Sequence, residues 1–185
     1  MKYKNTTVTT LIAATLLSAC AMQPKKENTT AKYHLHFYGA KNDSFSGQDL
    51  PLKIDLLEGD MPNSIGHGVH TSKFPLTYAI ECNQDKSACK HAVVKTDIEF
   101  SASNIDEKTI KVSGILHSEM GRNLTTSMSS SSFSGTTQVL SMRVPDSVEL
   151  INETKVDQRF EKTLKIGEKY EIKGLAGVHV DINFQ

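Results

Sequence analysis

Val178-His179-Val180-Asp181-Ile182-Asn183-Phe184 alternates without a break. Successive side chains of a strand point to opposite faces, so a period of two is the pattern of a half-buried strand. It sets Val178, Val180, Ile182 and Phe184 inward and His179, Asp181 and Asn183 outward. A strand this regular near the end of a chain is expected to pair within a sheet. The same alternation recurs upstream. Tyr33, Leu35 and Phe37 interleave with His34, His36 and Tyr38, and Leu52, Ile54 and Leu56 with Lys53 and Asp55. Tyr78, Ile80 and Cys82 continue it, then Val94, Thr96, Ile98 and Phe100, then Ile110, Val112, Gly114 and Leu116. Another strand begins at Tyr170 with Ile172, after the turn signal Ile166-Gly167-Glu168-Lys169. About eight to ten short strands with turns at short intervals predict an all-β fold. The expected form is a single antiparallel β-sandwich, or a barrel-like closure of one, over residues 32–185.

Two stretches fit less simply. Asp146 followed by Glu149 has the look of a helix cap, and Val156, Phe160 and Leu164 fall four apart, so a helix over 147–166 capped by Gly167 is conceivable. The β-branched residues Val148, Ile151, Thr154 and Val156 favour strands, and strands are expected. The run Arg122–Thr137, with the serines of 127–134, has little apolar surface to bury. It is either a loop or a polar edge strand; the loop is expected.

The N-terminal segment has a different character. Lys2 and Lys4 stand without an acid, and Val8–Leu17 is an apolar run diluted by threonine. The run is shorter than the roughly 20 apolar residues that span a bilayer and suits the core of a signal peptide. It ends in Leu17-Ser18-Ala19-Cys20, which resembles the lipobox of bacterial lipoproteins. The resemblance covers about the first 20 residues. It implies cleavage after a signal peptide of residues 1–19 and acyl chains on Cys20. Ala21, rather than aspartate, then implies export to the outer membrane of a diderm cell. Two or more chains, each contributing about 0.8 kcal/mol per buried methylene, hold a protein firmly where one is marginal. Residues 20–31 comprise the lipidated cysteine and a polar, proline-containing tether with an r.m.s. reach of about 17 Å.

The precursor has 21 basic and 21 acidic side chains; without Lys2 and Lys4 the mature part has 19 and 21, formally −2. That balance leaves no footprint for nucleic acid. Tryptophan is absent and aromatics are 6%, which weakens stacking on sugars or bases. The length suits one domain with a real core. Apart from Cys20 there are two cysteines, Cys82 and Cys89. In an oxidising compartment a disulfide is the simplest reading, and so short a loop contributes about 2.5 kcal/mol. Zinc is the alternative, but a C-x6-C pair without a second pair matches no ordinary zinc spacing.

Chemistry is sparse. His34-x-His36 lies on one face of a strand, and His67-x2-His70 lies in a glycine-bearing loop with Met61 nearby. Such imidazoles can chelate zinc or copper, and solvent-facing positions are the ordinary alternative. No G-x-S-x-G or H-E-x-x-H occurs, and Ser87-x-x-Lys90 falls within the expected disulfide loop. Asp97, Glu99, Glu119 and Asp181 are expected on solvated faces. The expectation is therefore not an enzyme, with no cofactor beyond the lipid on Cys20. It is a lipid-anchored outer-membrane protein facing the periplasm, whose β domain serves as an accessory subunit of an envelope machine of secretion or pilus type. A histidine-based lipoprotein binding a metal or small ligand is the second reading. An envelope inhibitor acting through the serine-rich segment or the loop of residues 64–71 is the third.

Overall fold

The computed structural model describes residues 32–43, 53–60, 68–129 and 137–185, with the backbone alone at 53–60, 128 and 129. The signal segment, Cys20, the tether to residue 31 and His67 lie outside the described residues. The strands are β1 (Lys32–Tyr38), β2 (Lys53–Asp60), β3 (His70–Lys73), β4 (Thr77–Cys82), β5 (Cys89–Asn104) and β6 (Thr109–Gly121). They continue with β7 (Asn123–Ser129), β8 (Thr137–Arg143), β9 (Thr154–Lys165), β10 (Lys169–Lys173) and β11 (His179–Phe184), with a 3-10 turn at Leu175–Gly177.

All strand pairs are antiparallel. One sheet runs β10-β11-β1-β2, so the regular terminal strand sits inside it, as its alternation predicts. The second sheet runs β3-β5-β6-β9. β5 has 16 residues, long enough to pair with β4 along its first part and with β3 further on, while β6 occupies its other side. The two sheets enclose one core. Leu35, Phe37, Ile172, Val180, Ile182 and Phe184 meet Ile98, Phe100, Ile110, Val112, Leu116 and Leu164, and all are buried. Phe37 stacks on Phe74 with ring centres 4.7 Å apart. Gly114 continues the inward series of β6 because no side chain fits there. A Cβ would run into the Glu99 carbonyl oxygen and stand 2.8 Å from Phe100 Cα.

The first part of the serine-rich segment departs from expectation, and residues 130–136 lie outside the described residues. Asn123–Ser129 is a strand, paired in unbroken register with Thr137–Arg143. Backbone hydrogen bonds order what side-chain burial could not, and Thr126 is buried. Leu124 packs with Met142, Leu76, Val93 and Val144 in a small second cluster on the outer face of β5. The β7–β8 hairpin is thus a partial third layer. Residues 147–166 follow the strand reading from Thr154 onward and form no helix. Gly167, at φ +86°, makes the turn from β9 into β10.

Candidate functional site

In the four-stranded sheet, every second residue points away from the core. Register aligns them in rows: Lys169, Asn183 and His34; then Glu171, Asp181 and His36; then Lys173, His179 and Tyr38. The outward orientation agrees with the sequence; the solvation does not. Asp181 is 1% exposed. Asn183, His34, His36 and His179 are half-buried.

Lys169 and Tyr38 lean over Asp181 and His179. Lys169 Nζ stands 2.6 Å from Asp181 Oδ2. It also lies 5.9 Å from the centre of the Tyr38 ring. Hydrogen bonding to Asp181 holds the Lys169 ammonium above its usual pKa. Tyr38 stacks on His179 at 4.1 Å with the planes 12° apart. Asp181 Oδ1 and Asn183 Oδ1, both buried, take no hydrogen bond among the described residues.

One donor atom each from Glu171, His179 and Asp181 lies within 4.8 Å of the others. His179 Nδ1 is 3.3 Å from the Gly177 carbonyl oxygen. A carbonyl only accepts, so the neutral tautomer that makes this bond carries its proton on Nδ1 and its lone pair on Nε2. Gly177 sits at φ +78°, in the left-handed region that glycine adopts freely, and this conformation aims that carbonyl.

Of the histidines singled out from sequence, His67 lies outside the described residues, and His70 sits apart from His34 and His36. His70, on β3, packs its ring 5.1 Å from Tyr33 and 5.3 Å from Phe100. Tyr33 belongs to the inward side of β1, whereas His34 and His36 point the other way. Lys169 and Glu171 escaped notice because K-Y-E-I-K joins the cluster only through its register with β11.

Cys82 and Cys89 form the disulfide, directly opposite each other in the β4–β5 ladder. The turn between them is tied by Asn83 N to the Ala88 carbonyl oxygen at 3.0 Å. The Asn83 side chain also accepts from Ala88 N at 3.1 Å.

The outer face of the second sheet is a ladder of charges. Lys95, Glu119 and Lys155 align in one row, and Lys73, Asp97, His117 and Asp157 in the next. His117 Nδ1 is 2.8 Å from Asp157 Oδ1, and this bond keeps the Asp157 carboxyl below its usual pKa. Asp97 was expected in solvent but is largely buried. Burial raises its pKa, against the pull of Lys95, Lys73 and His117. Lys73 donates to Ser127 Oγ at 3.0 Å, fastening β7 over this row. Beyond the hairpin lies an open groove of about 490 Å³, bordered by Val69, Glu99, Ile115 and Arg159. Ser101 and Ser113 along it are bonded to one another at 3.3 Å.

The root of the β7–β8 hairpin is fixed. Arg122 Nη1 donates to the Pro145 carbonyl at 2.7 Å, and the Tyr78 hydroxyl to the Arg143 carbonyl at 3.2 Å. Its far strand is open to water: Val139 is 68% exposed and Leu140 is exposed beside it. No family model, curated protein or solved structure matches the chain.

Proposed function

We propose that the protein is an outer-membrane lipoprotein held by acyl chains on Cys20, and that its β-sandwich is a non-catalytic interaction subunit of an envelope assembly of secretion or pilus type. The periplasmic side is the face on which it works. One observation supports the contact element most directly: among the described residues β8 pairs with β7 alone, and it presents Val139 and Leu140 to water from a fixed root. A strand with a free edge can take up a strand from a partner, and two apolar side chains beside it add burial. Full burial of such a side chain is worth about 1.5–3 kcal/mol; Val139 has most of that to gain and Leu140, already more than half covered, the smaller part.

The test has two arms. Cys20→Ser should release the protein from the membrane fraction and abolish labelling by a fatty-acid analogue. Val139→Asp with Leu140→Asp should leave the protein folded and anchored, yet remove the envelope proteins captured with it after mild cross-linking. An unlipidated protein that stays in the membrane would sink the anchor. An unchanged set of captured proteins would sink the hairpin.

A further inference from the structure

We propose that Glu171, His179 and Asp181 form a site for one divalent transition-metal ion of the zinc class. It is separate from the histidine pairs that the sequence suggests and independent of the interaction role proposed above. The first argument is register. Glu171 and Asp181 are direct cross-strand partners. Like charges in that relation destabilise a sheet unless a cation lies with them. The second is the state of Asp181. It is 1% exposed, and its Oδ1 accepts no hydrogen bond among the described residues. A buried carboxylate oxygen in that state is costly, and a metal ion satisfies it.

The third argument is the preparation of His179. Its Nδ1 lies against a backbone carbonyl, and the tautomer that donates there is the one that orients a metal-bound imidazole with Nε2 as the ligand atom. Stacking against Tyr38 holds the ring plane. Zinc takes nitrogen and oxygen ligands at about 2.0–2.2 Å, which sets tetrahedral donors about 3.4 Å apart. From separations within 4.8 Å, closure is a small movement, and Glu171 is exposed enough to make it. Imidazole with carboxylates favours zinc and its neighbours over magnesium or calcium, which prefer all-oxygen shells.

Lys169 is the competitor. Its ammonium occupies the cation position beside Asp181, but its side chain is 55% exposed and can swing into water. Lys173, 3.4 Å from Glu171, is more exposed still. The metal and the Lys169 ammonium therefore exclude each other at Asp181.

Zinc titration of the full-length, metal-stripped protein in detergent, followed by calorimetry, should show one equivalent bound. Asp181→Asn, His179→Ala and the edge-strand variant Glu171→Gln should each weaken it at least about tenfold. His70→Ala should leave it unchanged. Lys169→Met should tighten it, which a cluster serving only as an ion pair would not do. Circular dichroism of each variant separates lost binding from lost fold. No uptake of zinc overturns the site, as does uptake that survives Asp181→Asn and Glu171→Gln together. Binding lost with His70→Ala, or no tighter with Lys169→Met, places the ion elsewhere and overturns it equally.

Discussion

The two outer faces of the sandwich treat their charged side chains differently. On the five-stranded sheet, opposite charges alternate across the strands, as in Lys95, Glu119 and Lys155, and solvent reaches most of them. On the four-stranded sheet, Glu171 and Asp181 stand opposite each other, and Asp181 is covered by Lys169 in a half-buried layer that includes His34, His36 and His179. Alternation in water makes each pair nearly dispensable. Like charges under cover make the compensating cation indispensable. The first face needs only solubility from its charges, whereas the second has concentrated its electrostatics on one carboxylate.

Four measurements bear on this contrast. Lys169→Met leaves Asp181 buried without its counter-charge, and in zinc-free buffer should lower the unfolding free energy by about 3 kcal/mol in a urea titration. A loss under half of that would mean water reaches Asp181 and the faces are alike. As a reference outside both faces, Cys82→Ser with Cys89→Ser should cost about 2.5 kcal/mol in the same assay. Asp97→Asn has the opposite sign. Its folded pKa is raised by burial, so the native state binds the proton more readily than the unfolded chain, and stability falls as pH rises through that window. The substitution should stabilise the protein at neutral pH, and the gain should vanish once pH drops below the ordinary aspartate range. A gain that is the same at acid pH would point to a cause other than ionisation. Smallest of all, Lys111→Met breaks the exposed 2.7 Å pair with Glu161 and should change stability by no more than about 0.5 kcal/mol.

The strands were readable because alternation is local, and so was the hairpin staple, since the turn Asn83–Ala88 brings two nearby cysteines together. Asp181 was not. Period two assigns a side chain to a face, but whether that face is wet depends on what its neighbours are long enough to cover, and Lys169 becomes a neighbour only through pairing. The strand at Asn123–Ser129 was passed over in favour of a loop for a related reason. Composition measures side-chain burial, whereas β7 and β8 are ordered by a backbone ladder and by the few residues, Leu124, Thr126 and Met142, that reach the outer face of β5. His34 and His36 share a face as their spacing implies, whereas His70 lies on the core side of β1. A strand separates the first two from the third, and no count along the chain reveals which side of it each occupies.

The first described residue and the last lie side by side: Lys32 and Gln185 exchange backbone hydrogen bonds at 2.9 and 2.8 Å. β1 itself is flanked by β11 and β2 along its length. A pull delivered through residue 32, while the β4–β5 end of the sandwich is gripped, runs along the axis of β1 and shears both ladders at once. Gripped at Gln185 instead, the same strand would peel open one bond at a time. The domain is therefore mechanically strong in one direction and weak in another, and the direction is set by where it is held.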